Sequence, residues 1–231
     1  FRLTLITNTL RCFSLKDGKE LWIIKTENSL IRSQKKVSLA LKNNKIIFSS
    51  TIGDLTAADV ETGKLVWKSK KFGYFAARRG LLYLEPKKIG SPPRLYFSNR
   101  ERLICLNAKN GKLIEDFGGD GSIRTGLNVM TPVIYKDNLI YSVDGAKQAF
   151  IVALDRNIGK EVWRFDRESN APRKFSFTTP LLIETEAGAQ VISPGSDVVH
   201  SLDPNNGELI WKVVYDGYSV IPKPIYDGKY V

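Results

Sequence analysis

Residues 152–163 have the sequence VALDRNIGKEVW, and this pattern decides the fold because it recurs along the chain. The other copies are CFSLKDGKELW (12–22), TAADVETGKLVW (56–67), ICLNAKNGKLIE (104–115) and HSLDPNNGELIW (200–211). Their glycines, Gly18, Gly63, Gly111, Gly159 and Gly207, follow one another at spacings of 45, 48, 48 and 48 residues. Such a regular spacing indicates an internal structural repeat.

Each copy predicts a β-hairpin, because apolar residues alternate on both sides of a short polar loop that contains glycine. The side chains of Asp59, Asn107, Asp155 and Asp203 are expected to accept backbone N–H groups in the turn, and the glycine supplies the positive φ. Tryptophan ends four of the five copies. A side chain of this size at a fixed position predicts a contact between neighbouring repeats, with its indole N–H left for a polar partner. The repeats end near Trp22, Trp67, Glu115, Trp163 and Trp211.

A second hairpin precedes each of these turns, as in VSLALKNNKIIFSS (37–50), TPVIYKDNLIYSV (131–143) and TPLLIETEAGAQVISPG (179–195). Four strands in about 48 residues are typical of a propeller blade. The sequence therefore predicts an all-β propeller of four-stranded antiparallel blades, with about five blades in 231 residues. We expect residues 1–231 to form a single domain.

Two arrangements of the blades fit this pattern. Residues 224–231, PIYDGKYV, begin a further hairpin and could supply the missing strand of the first blade, which would close a ring of five. A window cut from a propeller of seven or eight blades gives the same match. We prefer a fragment, because Phe1 stands partway into an expected strand.

The formal net charge of +11 favours anionic partners through long-range attraction. Lysine and arginine are nevertheless concentrated between the apolar runs, and no nucleic-acid motif accompanies them, so we favour a solvated surface over a dedicated polyanion patch. No apolar run is long enough for a transmembrane segment, and residues 1–15 lack the pattern of a signal peptide.

The chain has only two cysteines and one histidine, whereas a zinc site needs about four such ligands. We therefore expect neither a zinc site nor a Cys/His catalytic site. In register, His200 occupies the strand position of Phe13, Thr56, Ile104 and Val152, which predicts a packed side chain. Cys105 similarly occupies the small-residue position of Ser14, Ala57, Ala153 and Ser201. Because Cys12 lies two repeats earlier, we expect no disulfide between Cys12 and Cys105.

The third repeat departs from the others, because Glu115 replaces the tryptophan and the chain continues as DFGGDGSIRTG (116–126). This stretch has neither the EF-hand spacing nor that of a phosphate loop, so we favour a plain glycine-rich connection over a binding loop. Catalytic residues are not identified, and no metal ligands are predicted. If a cofactor binds, the candidate loop residues are Arg78, Arg79, Asp116 and Asp120.

The repeats resemble the PQQ-repeat (quinoprotein-like) superfamily, in which Leu-Asp, a loop, Gly-Lys and Trp recur in each blade. ARRGLLYLE (77–85) and the stretch 94–126 are similar to PQQ-dependent alcohol and sugar dehydrogenases. KFSFTTPLLIE (174–184), SPGSDVVHSLDP (193–204) and YSVIPKPIYDGKYV (218–231) are instead similar to non-enzymatic PQQ-like propellers of bacterial envelopes.

This resemblance implies a binding or scaffold propeller in the periplasm or envelope, with a protein or an anionic polymer as partner. The alternative is a fragment of a PQQ-dependent dehydrogenase, with PQQ and calcium as cofactors that carry the chemistry. The catalytic and calcium-binding motifs of those enzymes have no counterpart that we can place in this sequence. We therefore favour a non-enzymatic role for this chain by itself.

Overall fold

A computed structural model describes residues 2–6, 9–25, 39–42, 45–49, 53–73, 80–99, 101–126, 130–145 and 149–231. Within these residues the regular structure consists of β-strands, which pair into five antiparallel sheets. The all-β prediction, with one sheet per repeat, is confirmed. No helix in the described ranges has the length and apolar character needed to cross a bilayer.

The chain divides into two compact units. One comprises Phe1–Asn99 with Cys105–Leu113, and the other comprises Arg100–Ile104 with Ile114–Val231. The single-domain organisation of residues 1–231 stays a prediction.

Each sheet follows the chain in simple up-and-down order. The first consists of β1 (Arg2–Ile6), β2 (Thr9–Phe13) and β3 (Glu20–Lys25), and the second of β4 (Leu39–Lys42), β5 (Lys45–Ser49), β6 (Leu55–Asp59) and β7 (Leu65–Lys68). The third consists of β8 (Leu82–Leu84), β9 (Arg94–Asn99), β10 (Arg102–Asn107) and β11 (Ser122–Arg124). The fourth consists of β12 (Val133–Tyr135), β13 (Asn138–Asp144), β14 (Ala149–Asp155) and β15 (Glu161–Asp166). The fifth consists of β16 (Leu181–Thr185), β17 (Gly188–Pro194), β18 (Val198–Leu202) and β19 (Leu209–Val214).

The middle strands of the sheets form the core. β13 and β14 are buried over most of their length, whereas β15 exposes every residue except Trp163 and the half-buried Phe165. Strands that are covered on both faces require continuous apolar runs, and LIYSV and FIVAL supply them.

The repeated turn has the same backbone hydrogen bond in all five copies, from the glycine N–H to the carbonyl four residues earlier. In the fourth repeat the backbone N–H of Gly159 donates to the carbonyl of Asp155 at 2.8 Å, and the Asp155 carboxylate accepts the N–H of Asn157 at 2.7 Å. Gly159 has φ of 75°, in the left-handed region that glycine tolerates best. A bulge between Ala153 and Leu154 completes the turn.

Three tryptophans lock neighbouring sheets together within each unit. Trp22, Trp67 and Trp163 each donate their indole N–H to a backbone carbonyl of the next repeat, at 2.9, 3.1 and 3.1 Å. Each indole also covers the glycine of that repeat. A Cβ on Gly63, Gly111 or Gly207 would lie 2.8, 2.6 or 2.5 Å from the ring, so only glycine fits there.

The register predicted for the first repeat is wrong by two residues. Cys12 pairs with Trp22 as Ala57 pairs with Trp67, so Cys12, and not Ser14, occupies the small-residue position. By the same spacing, Arg11 rather than Phe13 aligns with His200. Ser14 instead begins the turn, because its carbonyl accepts the N–H of Gly18 at 3.0 Å.

Residues 224–231 form no strand in the structure. Asp227 turns the chain there by accepting the N–H groups of Lys229 and Tyr230 at 2.8 and 2.7 Å. The first sheet therefore has three strands among the described residues.

Candidate functional site

The glycine-rich loop of the third repeat is held by its own hydrogen bonds. Asp120 accepts the N–H and the hydroxyl of Ser122 at 2.9 and 2.8 Å and pairs with Arg102 at 2.7 Å. The hydrogen bonds from Ser122, with a further contribution from the charge of Arg102, lower the pKa of the Asp120 carboxyl. Asp116 is exposed in the turn before it. The structure therefore gives Asp120 a role in shaping the loop.

This loop also replaces the missing tryptophan. Phe117 is fully buried, and the position that a Cβ on Gly159 would occupy lies 2.8 Å from Ile123 and 3.2 Å from Phe117. The N–H of Gly118 donates to the carbonyl of Ile158 at 3.0 Å. The two apolar residues thus cover Gly159 as an indole covers the glycine elsewhere.

The other two loop candidates, Arg78 and Arg79, lie outside the described residues. In the ranges that the structure does describe, no three histidine, cysteine or acidic side chains come together as metal ligands. Asp116 and Asp120 accordingly do not form a donor set that fits calcium.

A buried ion pair lies in the fourth repeat, and its arginine also reaches the fifth sheet. Arg167, which follows β15, places its Nε 3.4 Å from the carboxylate of Asp144 at the end of β13, and both side chains are essentially inaccessible. Its Nη2 donates to the hydroxyl of Ser193 at 2.7 Å. A Cβ on Gly195 would collide with the guanidinium. Burial raises the pKa of Asp144 to about 6, although the charge of Arg167 opposes the shift.

His200 lies beside this ion pair, in the strand position that the sequence predicted to be packed. It is 3% exposed, and its ring meets Phe165 edge to face with centroids 5.1 Å apart. Burial, followed by the charges of Arg167 and Lys212, lowers its pKa to about 4. The imidazole is therefore neutral at pH 7, and its Nδ1 finds no hydrogen-bond partner among the described residues.

Both cysteines are buried free thiols. Burial raises the pKa of Cys105 to about 11, so it remains protonated at neutral pH, and the pKa of Cys12 is raised by the same cause. Thiols that are kept protonated in a core are poor nucleophiles and poor metal ligands. The structure assigns them to packing.

Exposed apolar side chains recur on the strands that end four of the sheets. The most exposed of them are Val214 and Leu65, at 71% and 60%. Each of these strands ends its sheet among the described residues, and a sheet edge with exposed apolar side chains is the geometry that binds an added strand or an apolar partner. We call this set the last-strand surface; it consists of Leu21, Ile23, Leu65, Val66, Val162, Leu209, Ile210, Val213 and Val214.

Two family profiles match the chain. The family described as glucose/ethanol/alcohol dehydrogenase, beta-propeller domain, matches residues 19–130. The family described as outer membrane protein assembly factor BamB matches residues 91–219, which is more than half of the chain.

Comparison with individual proteins finds one relative in each of these groups and one designed protein. The outer membrane protein assembly factor BamB of Alkalilimnicola ehrlichii is 25% identical over 187 residues, which are 80% of this chain and 45% of that protein. A europium-containing methanol dehydrogenase superposes with a TM-score of 0.61 at 16% identity, over 93% of this chain and 49% of the enzyme. The computationally designed protein Ika8 superposes with a TM-score of 0.60 at 12% identity, over 94% of this chain and 63% of its own.

The likeness to the methanol dehydrogenase shows the fold, and it confirms the predicted propeller of four-stranded blades. The chain spans about half the length of the curated relative that it matches.

Proposed function

Because the chain belongs to the PQQ-repeat β-propeller superfamily and matches the BamB profile over more than half of its length, we propose that it is a binding or scaffold module of the bacterial envelope. The partner is a protein that docks on the propeller surface. The name of the curated relative, an outer membrane assembly factor, supports a role in assembling envelope proteins.

The observation that carries this proposal is the last-strand surface. Apolar residues recur on equivalent strands of both compact units, so the exposure is a property of the repeat and not of one accidental site. Leu209 and Ile210, which closely follow the repeated glycine of the turn, Gly207, are 45% and 47% exposed. Removal of exposed apolar surface of this kind from water contributes favourably to the free energy of binding a partner.

Site-specific photocrosslinking tests the proposal. A photoreactive side chain is introduced at Val66 or at Val213 and, as a matched control, at the exposed turn residue Lys109. We expect both strand positions to crosslink to the same envelope protein in the native cells, and Lys109 to crosslink to it much less. Equal yields from all three positions would contradict a docking surface on these strands.

A second candidate is part of a PQQ-dependent dehydrogenase, favoured by the match of residues 19–130 to the dehydrogenase propeller family. Calorimetric titration of the purified chain with PQQ and calcium tests it. Tight stoichiometric binding would support this candidate and count against a purely scaffolding role. Absence of binding to the full-length protein would remove it.

A further inference from the structure

The positive charge of this protein is concentrated in its first compact unit, Phe1–Asn99 with Cys105–Leu113. The sequence of that unit contains 21 lysines and arginines against 7 acidic residues, a net charge of +14. The second unit contains 14 basic and 17 acidic residues, a net charge of −3. The whole excess of positive charge therefore belongs to the first unit.

The repeated turns of the first unit lie at one end of its sheets. Trp22 donates its indole N–H to the carbonyl of Val60, and Trp67 donates to that of Ala108, so the hairpin of each repeat contacts the turn of the next. The N–H of Ala108 donates to the carbonyl of Pro93 at 2.9 Å, which attaches the loop between β8 and β9 to the same end. We call this set the turn end; it consists of residues 14–19, 59–64, 85–93 and 107–112.

Lysine is the main charged residue of the turn end. Among the described residues seven lysines are exposed there, and they are Lys16, Lys19, Lys64, Lys87, Lys88, Lys109 and Lys112. Four acidic residues accompany them, and two of these, Asp17 and Asp59, accept N–H groups of their own turns. These lysines are scattered along the sequence, but the fold gathers them into a basic surface that attracts anionic partners.

The loop between β8 and β9 presents an apolar side chain among these lysines. The N–H of Ser91 donates to the carbonyl of Lys88 at 3.2 Å, and Gly90 has φ of 87°, as the third position of a type II turn requires. Ile89 therefore occupies the tip of the turn, and its side chain is fully exposed. An aliphatic side chain next to lysines can enter the boundary between lipid head groups and acyl chains while the ammonium groups contact phosphates.

The composition of the turn end favours a lipid surface over a nucleic acid. Its four segments contain no aromatic residue, so they offer no ring on which a base could stack. They also contain no arginine, the side chain that recognises phosphates and guanine edges with paired hydrogen bonds. Lysine acts as a point charge, which suits the mobile phosphates of a fluid bilayer.

We propose that the turn end of the first unit binds the surface of an anionic lipid bilayer. Ile89 inserts among the head groups, and the surrounding lysines contact the lipid phosphates. The protein lies against the bilayer through these turns and does not cross it. This contact uses other residues than the last-strand surface and does not rest on the proposed protein partner.

Vesicle flotation of the purified 231-residue chain tests the proposal. One set of vesicles consists of phosphatidylcholine, and the other contains about one third phosphatidylglycerol in place of phosphatidylcholine. We expect partition into the anionic vesicles to be at least about tenfold stronger, since each lysine near an anionic surface contributes about fivefold. The difference should largely disappear between about 50 and 500 mM NaCl, because salt screens exposed charges.

Two triple variants test the position of the charge. Lys88→Gln with Lys109→Gln and Lys112→Gln should weaken partition into the anionic vesicles by at least about tenfold. The control replaces three exposed lysines of the second unit by glutamine and removes the same charge; they are Lys174, Lys223 and Lys229. This control should weaken partition by less than about threefold, because only long-range attraction is lost.

A single variant tests insertion of the apolar tip. Ile89→Ser should weaken partition by about fivefold or more, because the side chain no longer leaves water on binding. It should leave the salt dependence unchanged. Ile225→Ser removes an isoleucine that is 81% exposed in the second unit and should have no effect.

Circular dichroism verifies that each variant folds. Equal partition into the two kinds of vesicle would overturn the proposal, and so would losses of equal size in the two triple variants. A DNA duplex is titrated as the alternative polyanion. Tighter binding of DNA than of anionic vesicles, or unchanged vesicle binding by Ile89→Ser, would also overturn a lipid-binding role.

Discussion

The contact between Trp67 and Gly111 allows a stringent test of how the repeats are joined. Gly111 and Gly18 have the same φ of 71°, but their surroundings differ. A Cβ on Gly111 would lie 2.6 Å from the Trp67 ring, whereas a Cβ on Gly18 would meet nothing within 4 Å. Substitution by alanine therefore imposes the same backbone strain at both positions and adds a steric clash at only one.

The expected losses of unfolding free energy follow from these two terms. The left-handed conformation costs an alanine roughly 1–2 kcal/mol, and this should be the whole effect of Gly18→Ala. Overpacking adds about 1–3 kcal/mol, so Gly111→Ala should lose about 2–5 kcal/mol. In a Trp67→Ala background the clash is absent, and Gly111→Ala should again cost only about 1–2 kcal/mol.

Urea denaturation followed by far-UV circular dichroism measures these differences, since it does not depend on the tryptophan that is removed. All the altered residues belong to the same compact unit, which keeps the comparison within one folded body. Equal losses for Gly18→Ala and Gly111→Ala, or full additivity of Trp67→Ala with Gly111→Ala, would refute a lock between the indole and the glycine.

Three further predictions concern buried charges and are checked by denaturation at several pH values. Lys68→Gln should cost about 1–3 kcal/mol, because it removes the ammonium group 3.0 Å from the inaccessible carboxylate of Asp54, although solvent screens the 44% exposed lysine. Lys64→Gln, at an exposed turn position, is the control, and equal losses would contradict this. The pKa of His200 is lowered to about 4, so the folded protein binds fewer protons at this group than the unfolded chain does, and stability falls as the pH drops from about 6.5 to 4. His200→Gln should remove about 3 kcal/mol of this loss of stability. An unchanged pH profile would argue against it. The pKa of Asp144 is raised to about 6, so the folded protein binds more protons at this group than the unfolded chain does, and stability rises as the pH falls from about 6 to 4. Asp144→Asn removes this gain and should make the loss of stability in acid steeper. A shallower pH profile of the variant would contradict this.

The first repeat shows how sequence alignment of a repeat can fail locally. The sequence pattern matches Ser14 with Ala57 because both residues are small, yet the Ser14 carbonyl accepts the N–H of Gly18 just as the carbonyl of Asp59 accepts that of Gly63. The turn is fixed by backbone hydrogen bonds, which any residue at that position can make. Counting four residues back from the glycine would have given the correct register.

In the third repeat the sequence shows that the tryptophan is missing, but it does not show which residues take its place. Glu115 in place of tryptophan predicted a break in the pattern, and the break is there. Phe117 and Ile123 are the apolar residues of the glycine-rich stretch 116–126, and this composition was the available signal. Their packing on Gly159 depends on how the loop folds back, which periodicity does not encode.

The sequence by itself determined the repeat, the hairpin turns and the all-β class, because these depend on local alternation and on glycine at fixed spacing. It also predicted that His200 and Cys105 are packed side chains, and both are buried in the structure. Only the tertiary structure brought Asp144 to Arg167, and Arg167 to Ser193, since these contacts join different strands or sheets. Residues distant in sequence meet only when sheets pair and pack, so buried charge pairs are decided at that level.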